Sequence, residues 1–171
     1  GVSHFAVLDC TAVGKYAPSS TTSRPFSISV YVTPQPPFAI DFTDIGAFTS
    51  AELVDVSCGA VADCGMVGSV LISGVWHAIT VNLVGGGVEN ARLVTGDGTF
   101  HDATGSRGRG VSCVAAGVCT VVGTSSDVYG DYGFAFRDGV TACGVPKVNQ
   151  RLFMRWATSE NVGPALEEVQ S

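Results

Sequence analysis

Apolar and polar residues alternate along three segments of the chain. The segment Phe26–Thr33 reads F-S-I-S-V-Y-V-T. Every second residue of it is apolar: Phe26, Ile28, Val30 and Val32. Val75–Val84 and Tyr132–Phe136 are the corresponding segments farther along the sequence. Because successive side chains of a strand point to opposite faces, this alternation predicts half-buried β-strands. Shorter outer strands are predicted at Phe38–Phe42 and Ala91–Val94.

The C-terminal part has a different pattern. Val148–Ala157 contains good helix formers, with Val148, Leu152 and Trp156 four residues apart. This spacing predicts an amphipathic helix anchored by Trp156. A second short helix is predicted from Pro164 to Val169, since proline is well tolerated in a first turn.

A thirteen-residue pattern, V-S-(C/H)-x-A-x-x-x-C-x-x-V-G, occurs three times, at Val2–Gly14, Val56–Gly68 and Val111–Gly123. Self-similarity at a fixed period is typical of repeat architectures. We therefore predict three repeats of about 55 residues (1–54, 55–109 and 110–143) in one all-β domain, 1–143, and a helical cap over 144–171. Each copy of the pattern is predicted to be a hairpin. The repeats are expected to form a propeller-like or threefold closed body.

Composition narrows the functional classes. The 171 residues are 46% hydrophobic and 14% charged, with a formal net charge of −6, which favours a compact fold. Only Arg107 and Arg109 lie close together among the basic residues, so nucleic acid is not expected as a partner. No apolar stretch is long enough to predict a transmembrane segment.

The cysteines point to an oxidising compartment. Cys58 and Cys64, and likewise Cys113 and Cys119, are six residues apart at matching places in two repeats. The repetition predicts two local disulfides and a secreted, extracellular protein. Zinc binding is the alternative, although the spacing is wider than the usual zinc knuckle.

The first repeat lacks one cysteine of this pair. His4 stands at that position, which leaves Cys10 without a local partner. Cys143 is the remaining cysteine, and we predict a Cys10–Cys143 bridge between the first repeat and the end of the third. Two free buried thiols are the alternative.

The pattern resembles short repeats of secreted actinobacterial proteins of β-propeller type. Asp9–Tyr16, D-C-T-A-V-G-K-Y, is the best match. The resemblance implies a repeat fold in an extracellular setting and brings no catalytic residues with it. Propellers typically have four to eight blades. Two chains completing a six-bladed ring, a larger protein, and a threefold closed barrel therefore all remain open.

A second resemblance lies in Leu93–Gly108, L-V-T-G-D-G-T-F-H-D-A-T-G-S-R-G. This segment looks like the strand–turn motif of allene-oxide-cyclase-like and dirigent-like barrels, with Asp97 in place of a glycine. It implies an eight-stranded barrel that carries out cyclisation in an apolar lumen. The repeat organisation explains the same segment as an ordinary turn.

Candidate catalytic residues lie in this segment. His101 is close in sequence to Asp97 and Asp102, and a histidine flanked by carboxylates is typical of a general base or metal ligand. A solvated turn is the alternative for this cluster. Asp127 and Asp131 are carboxylates suited to Ca²⁺, but a hairpin turn explains them better.

Candidate binding residues are aromatic. Trp76 beside His77, and Tyr129 with Tyr132, are suited to a sugar-binding surface, with core packing as the alternative. Arg107 and Arg109 are interpreted as solvated charges.

The sequence thus predicts a secreted, disulfide-stabilised β-repeat module that binds a protein or glycan at the cell surface, or associates with itself to complete a ring. Neither a metal nor another cofactor is expected. The alternative is a small barrel enzyme of cyclase or isomerase type with an apolar lumen.

Overall fold

The computed structural model describes residues 1–6, 9–30, 37–94, 105–127, 130–139 and 152–155. These residues form thirteen β-strands. They are β1 (Val2–Ala6), β2 (Asp9–Tyr16), β3 (Arg24–Val30), β4 (Phe38–Ala39), β5 (Ser50–Ala60), β6 (Asp63–Ile72), β7 (Val75–Val84), β8 (Gly87–Val88), β9 (Arg92–Leu93), β10 (Gly105–Ala115), β11 (Val118–Asp127), β12 (Gly130–Gly139) and β13 (Leu152–Arg155).

The strands form three antiparallel sheets, and each sheet contains one copy of the thirteen-residue pattern. Sheet 1 has the order β1-β2-β3-β4, and sheet 3 has the order β10-β11-β12-β13. Sheet 2 has the order β5-β6-β7-β8, with β9 also pairing with β7. The predicted all-β organisation is confirmed.

Tight turns join β6 to β7 and β7 to β8 in sheet 2. The β6–β7 turn consists of Ser73 and Gly74, whose φ angles are 50° and 84°, and the turn at Gly85 and Gly86 has φ angles of 56° and 84°. Positive φ at both central residues suits a two-residue hairpin, because the turn then matches the twist of its strands. These turns keep consecutive strands adjacent in the sheet.

The three copies of the pattern share one spacing. This spacing places the two cysteine positions directly opposite each other in the first hairpin of each sheet. Cys58 pairs with Cys64 and Cys113 with Cys119, and both pairs form disulfides with Cα–Cα distances of 3.9 and 4.0 Å. In sheet 1, His4 lies opposite Cys10 in the same register. The two predicted local disulfides are present. Cys10 is a free, half-buried cysteine in this structure. Cys143, its predicted partner, lies outside the described residues.

The glycine that ends each pattern makes room for a neighbouring group. A Cβ atom on Gly14 would lie 3.0 Å from Cζ of Phe26. A Cβ on Gly123 would overlap the ring of Phe134, and one on Gly68 would overlap the carbonyl oxygen of Glu52. Only glycine has no Cβ, so these strands can approach closely at this point.

The sheets pack face to face, with sheet 2 in the middle. The apolar cluster between sheets 1 and 2 includes Val13 of β2 and Met66 of β6. A second cluster, between sheets 2 and 3, includes Val67 of β6, Val121 of β11 and Phe134 of β12. Strand β5 contacts β1, β2 and β3 on one side and β10 on the other. Within the described ranges the sheets close neither a barrel nor a propeller ring.

Strand β3 shows which side of an alternating strand is buried. Ser27 and Ser29 are fully buried on the side of β3 that faces sheet 2. On this side, Ser29 Oγ lies 3.2 Å from Thr11 Oγ1 of the adjacent strand β2. Phe26 and Ile28, on the opposite face, are only half-buried. The polar side of this strand therefore faces the neighbouring sheet, and its apolar side forms the outer face of sheet 1.

The helix predicted over Val148–Ala157 is wrong where the structure describes this segment. Leu152–Arg155 form strand β13, which pairs with Tyr132–Ala135 of β12. The free edge of β12 offers backbone hydrogen bonds to an extended segment, and these override local helix propensity. The rest of that segment, and the second predicted helix at Pro164–Val169, lie outside the described residues.

Candidate functional site

A cleft of about 420 Å³ is lined by residues of sheets 2 and 3. This volume lies within the range of small-ligand sites in proteins. Its walls come from the β6–β7 turn and the start of β7 on one side, and from β10, β11 and β12 on the other. The lining side chains are Val75, Trp76, Ser106, Arg107, Arg109, Thr124, Ser126 and Asp131, together with Gly74 and Gly105.

Gly105 permits the close approach of the two sheets at the base of the cleft. Its φ angle is +116°, a conformation that favours glycine. A Cβ at this position would lie 2.8 Å from the carbonyl oxygen of Trp76. One residue on, Ser106 Oγ accepts a hydrogen bond from the backbone nitrogen of Ala78 at 2.9 Å. The start of β10 is thereby held against β7.

Arg107 and Trp76 form the main side-chain contact in the cleft. The guanidinium carbon of Arg107 lies 4.2 Å from the centroid of the Trp76 ring. Stacking of this kind is a favourable cation–π contact. Nη1 of Arg107 also lies 3.6 Å from Oε1 of Glu52. The other oxygen of this carboxylate, Oε2, forms an ion pair with Nζ of Lys15 at 2.6 Å. Lys15, Glu52 and Arg107 therefore form a row of alternating charge across the three sheets.

The far wall of the cleft is polar. Ser126 Oγ donates to Asp131 Oδ1 at 2.5 Å across the β11–β12 pair. The exposed guanidinium of Arg109 lies on the same side as Arg107 among the lining residues. The cleft thus combines an aromatic ring, two guanidinium groups, a carboxylate and hydroxyl groups. Such a set suits the binding of a polar ligand, because it supplies both a stacking surface and hydrogen-bond donors.

The described residues of the cleft offer no arrangement typical of nucleophilic catalysis. Among them, the hydroxyls lie near one carboxylate, Asp131, and there is neither a histidine nor a cysteine. A catalytic serine needs an adjacent base to take its proton. In the described part of the chain, no three His, Cys, Asp or Glu side chains come close enough to hold a metal ion.

The structure separates the predicted binding pair Trp76 and His77. Trp76 faces sheet 3, like Ala78 two residues on, whereas His77 faces sheet 1, like Ile79. Adjacent residues of a strand point to opposite faces, so one site cannot use both side chains from the same direction. Only Trp76 lines the cleft.

The other predicted residues are distributed as follows. Tyr132 lies in β12, paired with Ser125 and Arg155. Asp131 lines the cleft, and Asp127 pairs with Gly130 beside the β11–β12 turn, in agreement with a hairpin. Four residues lie outside the described ranges: Tyr129 and the candidate catalytic group Asp97, His101 and Asp102.

Arg107 and Arg109 are the charged cleft residues that the sequence analysis does not identify as part of a site. They are interpreted from sequence as solvated charges, whereas Arg107 packs on Trp76 and pairs with Glu52. Their spacing of two is the usable signal, because residues two apart on a regular strand share a face. In the structure the β10–β11 register shifts between Gly108 and Gly110, and both arginines line the cleft. The sequence does not predict that Trp76 lies next to these arginines.

Among the described carboxyl groups, that of Asp41 has a clearly shifted pKa. Asp41, in the connection between β4 and β5, accepts hydrogen bonds from the side chain and the backbone nitrogen of Thr43. These bonds, the side-chain bond most of all, favour the ionised form and lower the pKa of Asp41 below its usual value. This carboxylate stabilises a local turn and does not line the cleft.

No family model, curated protein or solved structure matches this chain. Among the described residues there is no helix long and apolar enough to cross a membrane.

Proposed function

We propose that this chain is a secreted, disulfide-stabilised β-repeat module that acts by assembly and by binding at the cell surface. One observation carries the assembly part of the proposal. The backbone nitrogen of Cys58 donates to Ser3 Oγ at 3.1 Å, and that of Cys113 donates to Ser57 Oγ at 3.0 Å. Equivalent residues of consecutive repeats make the same contact, so the repeat is a unit that packs against a copy of itself.

The extracellular setting is supported by the two disulfides. Each closes a hairpin at the same place in its sheet, and disulfides of this kind persist in oxidising compartments. The resemblance of the pattern to secreted actinobacterial repeat proteins points to the same setting. Sheets that stack face to face also suit a propeller-like ring completed by further sheets.

Binding is a second candidate function, favoured by the cleft around Trp76 and Arg107. Arg107 stacks on Trp76, and Arg109 adds a second positive charge at the same opening. Guanidinium groups bind carboxylates with two parallel hydrogen bonds, and the half-buried indole of Trp76 adds an amphipathic aromatic surface beside them. A glycan that carries carboxylate groups fits this chemistry better than a neutral glycan or an apolar peptide.

The enzyme alternative receives no support from a particular feature of the described residues. A cyclase or isomerase barrel needs a lumen, and the three described sheets enclose none. The candidate catalytic residues of that alternative lie outside the described ranges.

Calorimetric titration with a carboxylated polysaccharide tests the binding proposal. Polygalacturonate is expected to bind, and its methyl-esterified form, which lacks the charge, is expected to bind at least tenfold more weakly. Arg107→Met should abolish binding, because it removes the guanidinium and keeps an apolar side chain of similar length. Arg92→Met is the matched control, since Arg92 is exposed outside the cleft and pairs with Glu89.

Equal affinity for the charged and esterified polymers would contradict a carboxylate-binding cleft. Equal losses in Arg107→Met and Arg92→Met would show that net charge, and not the cleft, determines binding.

A further inference from the structure

Three valines at one position of the repeat differ sharply in exposure. Val13, Val67 and Val122 each precede the final glycine of the pattern, in β2, β6 and β11. Val13 is 6% exposed under sheet 2, and Val67 is 0% exposed under sheet 3. Val122 of sheet 3 is 44% exposed. This valine is buried in sheets 1 and 2, where the next sheet along the chain packs on it. In sheet 3, where no described sheet follows, the same valine is exposed on the outer face.

The residue after the second cysteine follows the same rule. Thr11 and Gly65 are buried at this position, and each lies against the disulfide of the next sheet. Cys64 Sγ lies 3.6 Å from Thr11 Oγ1, and a Cβ on Gly65 would lie 2.7 Å from Cys119 Sγ. Thr120 occupies the position in sheet 3 and is exposed. Ser112, equivalent to the acceptors Ser3 and Ser57, is also exposed.

The opposite end of the stack, the outer face of sheet 1, is apolar. Ala12, Phe26 and Ile28 lie on this face and are half-buried. Their equivalents in sheet 2 are Met66, Ile79 and Val81, which are all buried against sheet 1. Sheets 2 and 3 use these repeat positions to pack on the preceding sheet. In sheet 1 the same positions lie on the outer face, where no described sheet precedes it.

We infer that the outer face of sheet 3 binds the outer face of sheet 1 of a second copy of this chain. The inference rests on the assembly part of the proposed function. We choose a second copy as the partner because the chain already contains two interfaces of this kind, between sheets 1 and 2 and between sheets 2 and 3. Both join the repeat positions that are left exposed on the two outer faces. Phe26 and Ile28 would pack on Val122 as their equivalents Ile79 and Val81 pack in one cluster with Val13. The hairpin bearing His4 and Cys10 would lie over Thr120.

This contact is heterologous, because it joins two different faces. Heterologous contacts give a ring when the rotation closes and a filament when it does not. Two copies would bring six sheets together, a number within the usual range for propellers.

Sedimentation velocity over a range of protein concentrations tests the inference. The wild-type chain is expected to associate, and Val122→Asp to remain monomeric with an unchanged melting temperature. Val84→Asp is the matched control, since Val84 is 43% exposed at the end of β7, outside both faces, and this variant should associate like the wild type.

A mixing experiment tests the head-to-tail geometry. Ile28→Asp, which places a charge on the outer face of sheet 1, is also expected to be monomeric. Each variant keeps one intact face, so an equimolar mixture of Val122→Asp and Ile28→Asp should form a dimer that grows no further. Ala12→Glu serves as the second variant on that face if Ile28→Asp lowers the melting temperature.

A wild-type chain that stays monomeric at every concentration would overturn the inference and would point to the chain's own residues as the cover of these faces. Equal loss of association in Val84→Asp, or a mixture that stays monomeric, would overturn it as well. Polygalacturonate binding by the monomeric Ile28→Asp variant separates the two proposals. Ile28 lies on sheet 1, away from the cleft, whereas Val122 shares a face of β11 with the cleft residues Thr124 and Ser126.

Discussion

Ser57 Oγ accepts a hydrogen bond from the backbone nitrogen of Cys113 at 3.0 Å, across the boundary between sheets 2 and 3. Ser3 and Cys58 make the equivalent bond between sheets 1 and 2 at 3.1 Å. The serine of the V-S-C pattern therefore acts between repeats, whereas the cysteines act within one. This difference explains why the two residue types recur side by side.

Ser57→Ala is expected to destabilise the fold by about 1–3 kcal/mol, because it leaves the half-buried nitrogen of Cys113 without its acceptor. Chemical denaturation measures the change. Ser20→Ala, at an exposed position, is the control and should stay within about 0.5 kcal/mol of the wild type. Equal stability of the two variants would mean that water replaces the serine at no cost.

The double variant Cys58→Ser/Cys64→Ser is expected to lose about 2–5 kcal/mol of stability, because the unfolded chain regains conformational freedom. Cys113→Ser/Cys119→Ser, which removes the equivalent bond of sheet 3, should show a loss of the same order. Thermal unfolding with and without reductant measures both. An unchanged melting temperature would contradict a stabilising role for these bonds.

Counting thiols in the denatured, unreduced protein tests the predicted Cys10–Cys143 bridge. Six cysteines are present, and four of them form the two described disulfides. No reactive thiol is expected if the long-range bridge forms. Two reactive thiols would show that Cys10 and Cys143 are free.

Gly59→Ala is expected to loosen the contact between sheets 2 and 3. A Cβ at Gly59 would overlap the carbonyl oxygen of Ala115, and a backbone group cannot move aside cheaply. We expect a loss of about 1–3 kcal/mol, as for other overpacked sites. Gly87→Ala is the control, because a Cβ there would meet its nearest atom, Val84 O, at 3.6 Å. Similar stability of both variants would contradict the close approach.

The carboxyl of Asp41 should titrate below its usual range. Its pKa is lowered in the folded state, so the stability that it contributes is present above the unfolded-state pKa and is lost as the pH falls through the folded-state pKa. Thr43→Val removes the side-chain donor and should raise the pKa of Asp41 towards 3.8. Carbon-detected NMR titration measures this shift, and an unchanged pKa in the variant would exclude Thr43 as its cause.

The cysteine pattern alone was sufficient to predict the hairpins and the two local disulfides. These features depend on residues close in sequence: a short turn places Cys58 opposite Cys64 whatever the rest of the chain does. The same reasoning predicted a helix at Leu152–Arg155, because side-chain spacing does not reveal that β12 offers a free edge there.

Only the tertiary structure decided how the faces meet. Alternation along β3 predicts two faces but does not say that Ser27 and Ser29 turn inwards while Phe26 and Ile28 turn outwards. Nor does the sequence place Arg107 on Trp76, since that contact joins two sheets. Local sequence determines which residues share a face, and packing between sheets determines what each face touches.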